Sequence, residues 1–178
     1  NNNLKLVVDN TFSPMVVSPY KLGADVVIHS MTKYINGASD CVAGCICASN
    51  EFINELTDIN SGMTMLLGPV LDSFRSSSIL KNLNTLHIRL KQHSNNAKFL
   101  ASKLSDDGYK IFYPGLKSHP QYNLITNIMN TEFGYSGMFG IDVGSLEKAE
   151  KLLEKMQLEK IGYLAVSLGY YKTLFSLP

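Results

Sequence analysis

Seven residues, Tyr34 to Asp40, lie between Lys33, which closes the first of two apolar-led segments, and Cys41, which opens the second, and that spacing limits the fold more than any other feature of the chain. The earlier run, Val26 to Ile28, leads into His29-Ser-Met-Thr-Lys33; the later one is Val42 to Ala48. Short unbroken apolar runs read as buried strands. A crossover between parallel strands needs about a dozen residues or more. The later run is therefore expected to lie antiparallel to the earlier one, inside or at the edge of the same sheet. Upstream the reading is different. Leu4 to Val8 reads as a strand, and Asp9-Asn-Thr-Phe-Ser-Pro14 is turn chemistry. Ser18 as cap, Pro19 at the first position and Gly23 just past the end mark a short helix. That makes a minimal crossover, so the first two strands are expected to be parallel.

In an open parallel sheet, ligands bind beyond the carboxyl ends of the strands. Asp9 stands at the end of the first strand, and Ser30, Thr32 and Lys33 at the end of the second. A lysine desolvated by neighbouring core can act as an amine nucleophile. Hydroxyls beside it can donate to a phosphate, and a carboxylate can favour a protonated pyridine nitrogen. These are the protein groups that pyridoxal phosphate demands. Each residue taken singly also has a plain structural reading: an Asp before Asn-Thr is commonly a turn, Ser-x-Thr-Lys a capped helix start, and a lysine solvated. Spacing alone leaves that plain reading the commoner one.

The remaining chain fits one domain, or a domain and part of another. It has 178 residues, 45% of them hydrophobic. A net charge of +1, with no Lys/Arg run beyond two residues, gives no electrostatic footprint for nucleic acid. No apolar stretch reaches membrane-spanning length, and the Asn-rich start does not resemble a signal peptide. Cys41, Cys45 and Cys47 lie in an apolar run and are expected to be small buried hydrophobes rather than metal ligands. Their odd number fits a reducing, cytoplasmic setting. His29, His87, His93 and His119 show no paired ligand spacing, so no metal is expected.

Asn50 is expected to cap a helix with Phe52, Ile53, Leu56 and Ile59 on one face, followed by an apolar linker, Met63 to Leu67. Gly68-Pro69 opens a long helical region, with a kink or break at Asn82 and Asn84 and a stop at Asp106-Asp107-Gly108. Small α/β units follow. They comprise a strand over Tyr109–Tyr113, a helix from Ser118 to about Asn130, and a strand over Met138–Val143. A helix capped by Ser145 and a last strand over Ile161–Leu168 complete them. A domain boundary is expected inside the long helix, giving units 1–84 and 85–178.

The run V-V-D-N-T-F…G-A-D-V-V-I-H-S-M-T-K-Y-I-N-G-A-S-D-C-V-A-G resembles the cofactor segment of the Cys/Met-metabolism family of pyridoxal-phosphate enzymes. The likeness continues in Asn84-Thr-Leu-His-Ile-Arg89, in Tyr113-Pro-Gly-Leu-Lys-Ser-His-Pro120 and in Ala165-Val-Ser-Leu-Gly169. The resemblance implies pyridoxal 5'-phosphate as cofactor, with Lys33 as the lysine that binds it covalently. It also implies Asp9 as partner of the pyridine nitrogen, Ser30 and Thr32 as phosphate ligands, and Ser167 near substrate and cofactor. The implied fold is α/β, of the aspartate-aminotransferase-like type (fold type I). That fold has a mostly parallel sheet with one antiparallel strand, then a smaller α/β C-terminal domain. The implied activity is that of a lyase on a small-molecule sulfur amino acid, by γ-elimination as in methionine or cystathionine γ-lyase. In it the substrate amine displaces Lys33, and the freed lysine moves protons while the leaving group departs. A homotetramer built from dimers is implied as well.

A γ-replacement enzyme, of the cystathionine γ-synthase or O-acetylhomoserine sulfhydrylase kind, is the alternative within the family. A non-catalytic relative that keeps the fold is the alternative outside catalysis. A plain nucleotide-binding domain ranks last, because no G-x-G-x-x-G or P-loop follows the first strand. Family members are more than twice this length, so the chain is expected to be part of a longer protein. The ring-stacking tyrosine and the Tyr and Arg that reach the phosphate would precede it, and the arginine for the substrate carboxylate would follow. Three positions depart from the pattern. The 24 positions from Asp9 to Lys33 are one short, Lys81-Asn82 replaces Arg-Gly, and Lys172 replaces an acidic residue after Ser-Leu-Gly.

Overall fold

A computed structural model of the chain describes residues 4–177. Its first layer is a three-stranded sheet in the order β1 (Val7–Asp9), β2 (Val26–Ser30), β3 (Gly44–Cys47). β1 and β2 are parallel, with Val7 opposite Val26 and Asp9 opposite Ile28. β2 and β3 are antiparallel, with His29 opposite Cys45 and Ser30 opposite Gly44. The antiparallel pairing is the one expected, but the connection that makes it runs from residue 31 to residue 43, because Lys33 and Cys41 both lie in the loop and not in the strands. The first strand begins later than expected, because the Leu6 amide is taken by the Asp25 carboxylate at 2.8 Å. The crossover is one 3-10 turn, Pro19–Leu22, ended by Gly23 at φ 97°, and the Ser18 hydroxyl makes no capping bond. In so short a turn, proline at the start and glycine at the end carry the geometry.

β3 lies at one edge of this sheet, which corrects the expectation for the cysteines. Cys47 is exposed, and Cys41 and Cys45 are only half-buried. The helix α1 (Asn50–Thr57) is capped by Ser49, whose hydroxyl accepts from the Phe52 amide at 3.2 Å; Asn50 is already helical. It stops before Ile59 because the Asp58 carboxylate takes the amides of Asn60 and Ser61, both at 2.9 Å. Met63–Leu67 is a short helix, α2, rather than a linker, closed by Gly68 at φ 65°.

The long helical region divides into α3 (Ser73–Leu83) and α4 (Leu86–Asp106). The break has a local cause. The Asn82 carbonyl accepts from the Thr85 amide at 3.1 Å, the Thr85 hydroxyl at 3.0 Å and Arg89 at 3.1 Å. A carbonyl drawn toward side chains in this way interrupts the helical ladder.

β4 (Lys110–Phe112) pairs antiparallel with β5 (Gly140–Asp142). The helix α5 (Tyr122–Ile128) starts later than expected, because residues 113–122 form consecutive turns in which the amides of Leu116, His119 and Tyr122 each donate to the carbonyl three residues before. The helix α6 (Leu146–Leu158) is capped by Ser145 as read from sequence. The last strand is short: β6 (Tyr163–Leu164) pairs parallel with β7 (Leu174–Phe175), and Val166 to Leu168 leave the ladder.

α4 joins the two buried clusters. Its Leu86 and Leu90 pack with Val16, Tyr34 and Phe133. Its Ala97 and Ala101 pack with Tyr113. Leu90 is 1% exposed, and burying such a side chain contributes about 1.5–3 kcal/mol. Tyr34 follows Lys33 directly, so the first cluster anchors the lysine turn in the core. No helix among the described residues is long and apolar enough to cross a membrane.

Candidate active site

Past Ser30 the chain folds into a tight turn, residues 31–37. Lys33 N–H donates to the Ser30 carbonyl at 3.3 Å, Asn36 N–H to Met31 at 2.9 Å, and Gly37 N–H to Lys33 at 2.7 Å. Gly37 ends the turn at φ 71°, a conformation glycine adopts freely. Asn36 is buried; its amide donates to the Asp40 carboxylate at 2.7 Å and accepts from Asn82 of α3 at 2.8 Å. Arg89 of α4 donates to the carbonyls of Tyr34 at 2.7 Å and Ile35 at 2.9 Å. The lysine therefore projects from a turn fixed on every side.

Lys33 is half-buried, and its amine lies 3.1 Å from the Ser167 hydroxyl, a contact between residues 134 positions apart. The Ser-Leu-Gly segment is seated there by Gly169, at φ 77°. A Cβ at Gly169 would press on Tyr34 N and Cα and come within 2.8 Å of the Lys33 carbonyl carbon. Only glycine allows so close an approach of the two backbones.

Asp9 is exposed at the end of β1. Its carboxylate accepts from the Thr11 amide at 2.9 Å. Hydrogen bonds from the Thr11 hydroxyl and amide hold the carboxyl below the ordinary range, and His29 adds a smaller attraction. Asp9 is thus an anion at neutral pH. The buried Thr11 hydroxyl also accepts from the Ser30 amide at 2.8 Å, tying the ends of β1 and β2 together. Burial lowers the His29 pKa, and its Nδ1 is buried without a hydrogen-bond partner among the described residues.

The two hydroxyls are used differently. Thr32 accepts from the Ala43 amide at 2.9 Å and donates to the Ala43 carbonyl at 3.3 Å, bracing the connection to β3. Ser30 Oγ makes no hydrogen bond among the described residues. The structure thus joins Lys33 to Ser167 directly, and Asp9 to Ser30 through Thr11. No hydrogen bond among the described residues links Asp9 to Lys33. Thr11, Asn36 and Arg89 were not singled out from sequence. For Thr11 a signal existed, since a threonine two residues after an aspartate is placed to close a local turn on it.

The donor set consists of a nucleophilic amine, a carboxylate held ionised and a hydroxyl free to donate. It fits a phosphorylated aldehyde with a basic ring nitrogen. No three His, Cys, Asp or Glu side chains converge as a metal-ligand set among the described residues.

Comparison with known proteins bears on this arrangement. The family model described as Cys/Met metabolism PLP-dependent enzyme matches residues 1–178. A methionine gamma-lyase of Arabidopsis thaliana is 44% identical over 172 residues, 96% of this chain and 39% of that protein. A cystathionine gamma-lyase of Dictyostelium discoideum is 40% identical over 97% of this chain and 43% of its own length. A crystal structure of cystathionine gamma synthase from Xanthomonas oryzae pv. oryzae superposes with a TM-score of 0.87 at 32% identity. It covers 98% of this chain and 44% of the other. The chain thus spans about two fifths of the length of these relatives.

Proposed function

Because the chain belongs to the Cys/Met-metabolism family of PLP-dependent enzymes, we propose that the whole protein is a lyase that removes the γ-substituent of a sulfur amino acid. The family is PLP-dependent, and its named relatives are lyases and a synthase of sulfur amino acids. The observation that supports the reading best is the 3.1 Å contact between Lys33 Nζ and Ser167 Oγ. It brings together the two motifs that sequence reading assigned to one site.

In this reading Lys33 binds the cofactor covalently, Asp9 partners the ring nitrogen, and Ser30 and Thr32 hold the phosphate. The fit differs between the hydroxyls, since Ser30 is free to donate whereas the Thr32 proton is turned to Ala43. Pyridoxal phosphate, when bound, supplies an electron sink for negative charge at the substrate α-carbon. Lys33 supplies the nucleophile and, once released, the amine that takes a proton from one carbon and returns it to another. Ser167 orients that amine through its hydroxyl.

The two-unit organisation, 1–84 and 85–178, belongs to the same proposal and is supported by the break between α3 and α4. β1 to β3 would be the lysine-bearing part of a larger, mostly parallel sheet with one antiparallel strand. A homotetramer fits the exposure of Leu66 (64%), Leu67 (72%), Val70 (85%) and Phe74 (84%), apolar side chains that favour burial against more protein. A cytoplasmic setting fits the free cysteines.

Two γ-lyases among the reported relatives favour elimination. The likeness to cystathionine gamma synthase favours replacement as the second reading. The test is release of a keto acid from methionine and from cystathionine by the full-length protein, with and without a second thiol or amino-acid acceptor. Lys33→Ala is expected to abolish turnover, and retained turnover would refute the lysine assignment. A product joined to the acceptor would replace the elimination reading by the replacement one.

A further inference from the structure

One charged side chain next to Lys33 takes no part in the chemistry proposed above. Arg89, in the first turn of α4, is half-buried against the lysine turn. Its Nη1 donates to Tyr34 O at 2.7 Å, Nη2 to Ile35 O at 2.9 Å and Asn82 O at 3.1 Å, and Nε to Thr85 Oγ1 at 3.1 Å. Every acceptor is neutral. Among the described residues no carboxylate lies within ion-pair distance of the guanidinium.

Taking a cation partly out of water without a counter-charge is unfavourable, and burial here pulls the Arg89 pKa down. Neutral acceptors offset that only in part, so a purely structural role would be served as well by an apolar side chain. What the guanidinium adds is shape: its planar fork spans two successive carbonyls, which an ammonium cannot do. The packing is equally specific. A Cβ at Gly37 would run into Arg89 Nη1 and Cζ and lie 3.4 Å from the Gly169 carbonyl oxygen. Arg89, Gly37 and Gly169 thus pack together beside the peptide that joins Lys33 to Tyr34.

We propose that Arg89 is a positioning residue for Lys33: by gripping the carbonyls of Tyr34 and Ile35 it fixes the turn from which the lysine amine attacks an aldehyde carbon. The proposal rests on the reading of Lys33 as the cofactor-binding lysine. A fixed turn raises the effective concentration of the amine at the aldehyde. The proposed phosphate ligands have separate anchors, Thr32 on Ala43 and Ser30 on Thr11, so holding of the phosphate and ring should not depend on Arg89.

The experiment compares two ligands on the cofactor-free full-length protein. The aldehyde of pyridoxal phosphate condenses with a lysine amine: a C=N bond replaces the C=O bond, and the oxygen leaves as water with the two amine protons. Pyridoxamine phosphate has the same ring and phosphate but an amine in place of the aldehyde, so it binds only non-covalently. In Arg89→Gln and in the milder Arg89→Lys, affinity for pyridoxal phosphate should fall about tenfold, as expected for loss of charge-assisted bonds. Affinity for pyridoxamine phosphate should stay at the parent value. Amide exchange at Asn36 and Gly37 should quicken in both variants. An equal loss for both ligands would assign Arg89 to general support of the fold, and no loss for either would remove it from the site; each overturns the proposal. Borohydride reduction of the unmodified protein provides the separate check. A stable adduct mapped to a residue other than Lys33 would overturn the lysine reading itself, whatever Arg89 does.

Discussion

Gly169→Ala isolates the contact that joins the two halves of the site. Two penalties arise. Alanine at φ 77° adopts left-handed backbone at a cost of about 1 kcal/mol. Its Cβ would also press on the Lys33–Tyr34 peptide, within 2.8 Å of the Lys33 carbonyl carbon. Backbone cannot swing aside as a flexible side chain does, so the overpacking adds about 1–3 kcal/mol. Gly108→Ala is the control, because Gly108 has φ 90° and nothing within 4 Å of its would-be Cβ. It bears the first penalty without the second.

The difference between the two variants is thus about 1–3 kcal/mol, or roughly five- to 150-fold in a local opening equilibrium. Hydrogen exchange of the full-length protein reads it at the Asn36 and Gly37 amides, which are bonded at 2.9 and 2.7 Å inside the lysine turn. Gly169→Ala should speed those amides by that factor, and Gly108→Ala should leave them unchanged. Equal exchange in the two variants would refute the view that Gly169 is held by the lysine backbone.

Asn36→Leu removes a buried amide that satisfies Asp40 and Asn82 together. Losing both bonds of this buried amide should cost about 1–3 kcal/mol, read as a lower urea midpoint, while Asn82→Ala should cost less because one bond is lost. Burial depresses the pKa of His29 and of His93 below 6.5, with Arg89 also acting on His93. The unfolded chain therefore binds more protons than the folded one as pH falls through that value. Stability is full above it and declines below it. Thermal midpoints measured between about pH 7.5 and 5.5 should fall on acidification, and His93→Gln should flatten the slope; a rise on acidification would contradict both shifts.

The features legible in the sequence are those fixed by local chemistry or by chain length. The antiparallel β3 is expected from the short count between Lys33 and Cys41, and the pairing is observed although the strands themselves are joined by the longer segment 31–43. The helix break near Asn84 followed from two asparagines, and the α6 start from Ser145. The errors share a cause, since each depended on a competing partner. Ser49 captured the α1 cap one residue before Asn50 because its hydroxyl is the one placed to meet the Phe52 amide. Cys47 reads as buried in a run of apolar neighbours, yet β3 lies at the edge of the sheet. Thr32, still proposed as a phosphate ligand, also meets Ala43, a contact between residues 11 apart that no periodicity announces. At the site, the Asp9 and Lys33 strand ends could be read from pattern. Thr11 could have been read from its place two residues after Asp9, but the roles of Asn36 and Arg89 could not, because they depend on how α3 and α4 meet the lysine turn.

The wide spread of sequence distances within one site bears on how it is built. Thr32 meets Ala43 across 11 positions, whereas Lys33 meets Ser167 across 134. Loop-closure entropy grows as the logarithm of loop length, so the second contact costs about 2 kcal/mol more to close. Local pairing of β1, β2 and β3 therefore comes early, and the seating of Ser167 and Gly169 comes late. A folding chain completes the lysine turn while its amine still faces solvent, and only afterwards is that amine covered. Any ligand that binds the covered form better than the open one draws the closing step forward by mass action.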